Sequence, residues 1–304
     1  MKLLLLSRIF EESIACLRET HDVIEAFDAT PDELQEMIAD REALVFRSGV
    51  DVSAELMARA PGLKLLIRAG SGLDNIDLDY VSAHGLELIR IPGPGARAVS
   101  ELAFSFMLAL TRQIIPADRM LRAGHWAKHE LSGYLLEGKT LGVYGAGNIG
   151  SLVGRMGAAW GMNVLACVEF PSDEREKELR QQNIRLVGAD AVVSNSDFLS
   201  INLPLSATTR GLIDANTITR MKSGSYLVNL ARGGIVDENA LLDALTSGRL
   251  RGAALDVHAA EGEGKISVLA ELPNVILTPH IGAMTVDSQR AVGERVVEIV
   301  GGYP

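Results

Sequence analysis

The chain has 304 residues, long enough for about two domains, and its 47% hydrophobic and 22% charged content is that of a soluble globular protein. A formal net charge of −10 works against electrostatic binding of nucleic acid or of anionic membrane. Two cysteines, Cys16 and Cys167, provide neither a disulfide framework nor a CxxC pair, so the sequence suggests no metal site and a reducing, cytoplasmic setting.

The first stretch, "MKLLLLSRIF", has an apolar core of only Leu3 to Leu6, too short for a secretion signal, and it reads as a strand. No segment approaches the ~18 consecutive apolar residues of a membrane helix. Strands are expected at "KLLLLS", "HDVIEAF", "EALVFR", "LKLLIRA" and "LELIRI", with helices from Glu11, Asp32 and Ser53 between the early ones. Strand–helix alternation of this kind implies a mostly parallel sheet covered by helices. "IPGPGARAVS" then interrupts the pattern and suggests a domain boundary, residues 1–93 with 285–304 forming one domain and 94–284 the other. "SELAFSFMLALTR" reads as an apolar helix and "QIIPADRMLRAGHW" as a second helical arm, within about 112–136. A second alternation follows, with strands at "TLGVYG", "NVLACV", "IRLV", "DFLSINL", "SYLVNL", "AALDVH" and "NVILTP". The last helix, "MTVDSQRAVGERVVEIV", is expected to return to the first domain, which would leave a ligand-binding cleft between two α/β lobes.

"VYGAGNIG" places Gly145, Gly147 and Gly150 directly after a strand and at the start of a helix. A dinucleotide site needs this spacing: a tight turn, close backbone approach to the pyrophosphate, and close packing of helix on strand. The ribose calls for an acid about 20 residues on, at the end of the next strand, where "CVEF" offers Glu169. Glu169 either accepts from a ribose 2′-hydroxyl or is a solvated strand-end residue. "SDEREKE" adds no clean basic pocket for a 2′-phosphate, so NAD is expected over NADP.

Three other strand ends in this half carry polar groups: Arg232 in "YLVNLARGGIVD", Asp256 and Glu261 in "ALDVHAAEGEG", and His280 in "LTPHIG". Each alone has an ordinary surface reading. Together they answer a chemical need, because ligands of parallel α/β sheets gather at the strands' carboxyl ends. Oxidising a secondary alcohol with nicotinamide requires a base for the hydroxyl proton, and histidine titrates near neutrality. A carboxylate such as Glu261 would orient that ring, and a substrate carboxylate would be met by the guanidinium fork of Arg232.

"GKTLGVYGAGNIG", "MKSGSYLVNLARGGIVDENALLDAL", "ALDVHAAEG" and "LTPHIGAMT", with "RAGSGLDNIDL" and "VSELAFSFMLAL", resemble the D-isomer-specific 2-hydroxyacid dehydrogenase family over nearly the whole chain. The resemblance implies two doubly wound parallel-sheet lobes, a flavodoxin-like substrate lobe and a Rossmann NAD-binding lobe. It implies that Arg232 binds and polarises a 2-oxo acid, that His280 is the acid–base, and that Glu261 is its partner. Cofactor contacts are implied for Asn148 and Ile149, for Leu203 and Pro204 of the "LPL" turn, for Thr209, for the Leu230–Ala231–Arg232 backbone, for Asp256, and for His280, Gly282 and Ala283. A homodimer is implied too, with "QIIPADRMLRAGHW" in the intersubunit arm.

Within the family, "FRSG" and "IRAGSGLDN" look most like short-form D-3-phosphoglycerate dehydrogenases, and no appended regulatory domain is expected. The sequence departs from the family pattern at four places. The acid after the second Rossmann strand is displaced to Glu169, an Asn is lost at Gly95, Glu-Pro becomes Glu261-Gly262, and a common Phe becomes His258. Arg47, with Ser48, and Arg68 follow first-lobe strands. With Arg232 and the backbone around Ser71 and Gly72 they suggest a substrate anionic at both ends, such as 3-phosphoglycerate. The alternative is that both arginines pair with Asp74 or Asp77 and hold the loop. A reading of another class also stands, a dinucleotide-sensing binding protein of the same fold with little turnover.

Overall fold

The computed structural model describes residues 1–303. The chain forms two compact units, Met1–Ala98 together with the segment from Ala283 onward, and Val99–Gly282.

The first unit alternates β1 (Lys2–Leu5), α1 (Glu11–Thr20), β2 (Asp22–Glu25), α2 (Pro31–Met37), β3 (Ala43–Phe46), α3 (Ala54–Ala58), β4 (Leu65–Arg68), α4 (Leu78–Ala83) and β5 (Glu87–Arg90). Short polar signals start its helices. Thr30 and Glu33 make a reciprocal capping box with Pro31 in the first turn, while Ser53 and Asp77 accept from the amides of Leu56 and Tyr80. All five strands pair in parallel in the order β2-β1-β3-β4-β5, the flavodoxin-like order expected of the sequence. "KLLLLS" is apolar without alternation because both faces of its strand are buried. Leu3 and Leu5 join one cluster, with Ile14 and Leu17 of α1, and Leu4 and Leu6 join the other.

"IPGPGARAVS" holds the limit between the two units, as the sequence suggested, but without a loop from Gly93 on. From Gly93 it is already helical, as the opening of α5 (Gly93–Thr111). Proline and glycine suggested a break, but Pro94 lies in the first turn, where its missing N–H leaves no helical bond unmade. The limit between the two units therefore falls inside a helix. α6 (Ile114–Arg122) follows after Gln113, whose φ of 52° turns the chain. No single helix among the described residues is long and apolar enough to cross a membrane; α5 and α6, bent by 60°, meet that test only as a pair. Along α5, Ala103, Phe104, Phe106 and Met107 are buried.

The second unit continues with β6 (Thr140–Tyr144), α7 (Asn148–Ala159), β7 (Asn163–Cys167), α8 (Asp173–Gln181), β8 (Ile184–Leu186), α9 (Ala189–Asn195), β9 (Phe198–Ile201), α10 (Ala215–Arg220), β10 (Ser225–Asn229), α11 (Glu238–Thr246), β11 (Leu250–Leu255) and β12 (Val275–Leu277). Its seven strands are parallel in the order β12-β11-β10-β9-β6-β7-β8, a doubly wound sheet whose order reverses between β6 and β9. The last helix, α12 (Val286–Gly301), is capped by Thr285 and belongs to the first unit. There its Val292, Val296, Ile299 and Val300 pack with α1 and the first sheet, as the sequence suggested.

Candidate active site and dinucleotide cradle

At the switch point of the second sheet, the glycine loop joins β6 to α7. Gly145 has φ of 96°, and a side chain there would run into the Asn202 carbonyl beyond β9, 2.6 Å from the added carbon. A side chain at Gly150 would strike the Gly145 carbonyl at 2.1 Å. Gly147 is different: a carbon added there meets nothing within 4 Å, so its open side lies at the N-terminus of α7, where backbone N–H groups and the helix dipole favour an anion. These three positions fit a pyrophosphate. Across the switch point, Thr209 Oγ1 donates to the Pro204 carbonyl at 2.7 Å and accepts from the Ser206 amide at 2.8 Å, which ties the Leu203–Pro204 turn in place.

Glu169 is exposed, two residues past the end of β7. The structure adds a group that the sequence reading missed. Arg175, on α8, donates to the Ala146 carbonyl at 2.5 Å and to Ser151 Oγ at 2.7 Å, so a guanidinium steadies the glycine loop. Its own Glu178 accepts a further bond at 2.6 Å. Mixed charge in "SDEREKE" concealed this, because only the fold brings residues 146 and 175 together.

The sheet order puts β10, β11 and β12 side by side, so the loops carrying Arg232, Glu261 and His280 leave neighbouring carboxyl ends. Asn229 ends β10 and folds the Arg232 turn, accepting from the Ala231 amide and donating to the Arg232 carbonyl, each at 3.0 Å. Gly233 lies flat against the next loop. A Cβ there would sit 1.8 Å from the His258 carbonyl oxygen, so only glycine lets the two loops touch.

Asp256 anchors the turn that carries His280. The side chain is buried, Oδ1 accepting from Thr278 Oγ1 at 2.5 Å and from the Ile281 amide at 2.8 Å, Oδ2 from the Gly282 amide at 2.7 Å. Its carbonyl accepts from the His280 amide at 2.8 Å. Within this frame His280 takes φ of 55°, a left-handed backbone that costs a side-chain-bearing residue about 1–2 kcal/mol.

The imidazole Nδ1 stands 2.9 Å from Glu261 Oε2. Burial raises the Glu261 carboxyl, but the His280 hydrogen bond and charge, the His258 amide and the His258 ring pull it the other way, leaving it below its ordinary value. Glu261 is thus ionised at neutral pH and can only accept, so Nδ1–H donates and Nε2 is left for other partners.

The residues suggested for substrate in the first unit stand differently. Arg68 closes β4 and is buried, whereas Ser48 and Ser71 are exposed and Gly72 half-buried. Arg47 is half-buried, its Nη1 3.3 Å from Met284 Sδ, and its backbone held by Ser7 Oγ and Asn75 Nδ2. Burial alone lowers its pKa, with no opposing carboxylate. Asp77 is engaged elsewhere, as the cap of α4. Ala283 lies against Gly95, whose added Cβ would be 3.1 Å from the Ala283 Cβ, so the glycine that replaces the family Asn permits close packing. Among the described residues no group of three or more His, Cys, Asp or Glu could hold a metal.

Comparison with known proteins agrees with this geometry. The family model described as "D-isomer specific 2-hydroxyacid dehydrogenase, NAD binding domain" matches residues 104–282. A D-3-phosphoglycerate dehydrogenase of Mycobacterium tuberculosis is 39% identical over 297 residues, covering 98% of this chain and 56% of the relative. A hydroxypyruvate reductase of Thermotoga maritima is 40% identical over 270 residues, covering 88% of this chain and 86% of the relative. The crystal structure of a D-lactate dehydrogenase from Aquifex aeolicus, complexed with NAD and lactic acid, superposes with a TM-score of 0.87 at 28% identity, over 99% of this chain and 94% of that one. The chain belongs to the D-isomer-specific 2-hydroxyacid dehydrogenase family, and its second unit carries the family's NAD-binding domain. It spans about half the length of the phosphoglycerate dehydrogenases that it matches.

Proposed function

We propose that the protein is an NAD-dependent oxidoreductase that interconverts a D-2-hydroxy acid and its 2-oxo acid. The observation that carries this reading is the Glu261–His280 pair at 2.9 Å, set on strands next to the Arg232 turn in the same sheet as the glycine cradle. The names of the similar proteins support the reaction class.

In this reading residues 94–284 are the dinucleotide-binding domain, and residues 1–93 with 285–304 the substrate-binding domain. The amides from Gly147 to Gly150, Asn148 and Ile149 among them, would hold the cofactor's pyrophosphate, and Glu169 would accept from its ribose. Leu203, Pro204, Thr209, the Leu230–Arg232 backbone, Asp256, Gly282 and Ala283 complete the cofactor's surroundings. When bound, NAD supplies a nicotinamide ring that accepts or donates a hydride. Arg232 holds the substrate carboxylate and polarises the 2-oxo group. His280 Nε2 takes the hydroxyl proton in oxidation and returns it in reduction. Glu261 stabilises the imidazolium formed meanwhile, through Nδ1.

Among substrates we favour 3-phosphoglycerate. A half-buried guanidinium with no carboxylate opposite, Arg47, is suited to a phosphate. Arg68, which ends the neighbouring strand, and Ser48, Ser71 and Gly72, in the loops after β3 and β4, lie toward the same edge of the first sheet. A homodimer is proposed through the arm at about 112–136, where Ile114, Leu121, Trp126 and Leu135 are exposed. Cytoplasmic residence agrees with the acidic composition and the free thiols.

The test is steady-state NADH oxidation against a panel of 2-oxo acids, including 3-phosphohydroxypyruvate, hydroxypyruvate, glyoxylate and pyruvate. Turnover of at least one supports the enzyme. Tight NADH binding with no turnover on any of them would favour the dinucleotide sensor instead.

A further inference from the structure

His258 replaces a phenylalanine common in the family, and the structure gives its ring a polar task. The ring's Nε2 lies 2.9 Å from the Thr278 carbonyl oxygen. A carbonyl only accepts, so Nε2 carries the proton and donates. Nδ1 is buried with no hydrogen-bond partner among the described residues. The backbone amide of the same residue donates to Glu261 Oε1 at 3.1 Å.

These bonds close a circuit. From His258 the ring reaches Thr278, and Thr278 Oγ1 bonds Asp256. Asp256 in turn accepts the His280 amide, His280 Nδ1 meets Glu261 Oε2, and Glu261 Oε1 returns to His258. Every other link is either backbone or a residue with a role of its own. Beside the bonds of Asp256 and the Glu261–His280 pair itself, the His258 ring adds a tie from the loop after β11 to the strand end that carries His280. A phenylalanine would fill the space and make no such tie.

We propose that His258 is a positioning residue for the acid–base pair: its Nε2–H, bound to the Thr278 carbonyl, holds the Glu261 loop at the distance at which Glu261 engages His280. The charged groups around it are Glu261 on its own loop, His280 beyond β12, Asp256 at the end of β11, and Glu238 at the start of α11, which accepts from the Ala259 amide at 2.6 Å. The proposal rests on the acid–base reading of His280 only in its kinetic consequence. The hydrogen-bond circuit exists whatever the substrate.

Two variants test it. His258→Phe restores the family residue and removes the tie, whereas His258→Gln can place an amide N–H near the original Nε2. Glu261 is followed by carbon-13 titration of the glutamate carboxyls, its signal assigned by its loss in Glu261→Gln. In the Phe variant the Glu261 midpoint should rise by roughly half to one pH unit, the equivalent of one neutral hydrogen bond, and the Gln variant should recover most of that rise. The kcat/KM–pH profile should move in the same sense, with kcat down roughly 3- to 10-fold in the Phe variant and KM little changed. An unchanged Glu261 midpoint in His258→Phe would overturn the proposal, since the ring would then be packing alone. Equal rises in Phe and Gln would overturn it too, by assigning the effect to the imidazole's charge rather than its tie. If the wild type turns over no 2-oxo acid, the dehydrogenase reading fails, and the carboxyl titration still decides the role of His258.

Discussion

Both sheets present polar residues at their carboxyl edges, and the two edges are built differently. In the second unit, hydrogen bonds within and between the loops hold Asn229, Asp256, Glu261, His258 and His280, so each side chain has a defined place before any ligand arrives. In the first unit Arg47 reaches a methionine sulfur, with its charge unopposed among the described residues. An edge that completes itself is suited to chemistry, where reacting groups must be held in advance. An edge with an unanswered charge is suited to binding, because the ligand supplies what is missing.

The sharpest way to break the comparison is at the preorganised edge. His280→Ala should lower kcat by roughly 10²–10⁴-fold, the usual contribution of a positioned acid–base, with NADH affinity by fluorescence titration little altered. Near-normal turnover would remove His280 from the chemistry.

The binding edge should respond selectively. Arg47→Ala is expected to cost about 1.5–3 kcal/mol, roughly 10–150-fold in kcat/KM, on 3-phosphoglycerate while leaving D-lactate or D-glycerate nearly untouched. Equal losses on phosphorylated and unphosphorylated acids would mean that Arg47 supports the fold.

Between loops, Gly233→Ala forces a methyl group into the His258 carbonyl and should destabilise by about 1–3 kcal/mol. Calorimetry would show the melting temperature falling by several degrees; an unchanged melting temperature would show that the two loops can part freely.

The smallest expected effect is a pH dependence of stability. Glu261 has its folded-state pKa depressed below its ordinary 4.5, so its contribution is full above that value and fades as pH falls through the depressed one. The wild type should therefore melt above Glu261→Gln at neutral pH, and the gap should close on acidification. A gap that widened in acid would contradict the ion pair.

Much of this was legible in the sequence because the informative residues are local. A glycine triplet after an apolar run, or a histidine after "LTP", announces a strand end that carries a group; the alternation of elements implies parallel sheets, and the family resemblance their two lobe types. What escaped was of two kinds. Pro94 and Gly95 read as a break although the first turn of a helix tolerates both. The Arg175–Ala146 and His258–Thr278 bonds join residues 29 and 20 positions apart, and no periodicity encodes such a pairing. The substitution of His258 for phenylalanine was visible as a departure, but its partner emerged only when β11 and β12 lay side by side.

The left-handed backbone at position 280 has a consequence for descent as well as for catalysis. Glycine enters that conformation more readily than a residue with a side chain, so the imidazole is held there at some cost in backbone energy. His280→Gly would relieve that strain but give up the Nδ1 bond to Glu261, so its melting temperature should report the balance of the two, even though glycine cannot act as an acid–base. In a lineage that turned to sensing dinucleotides, only that balance, and not turnover, would act on position 280.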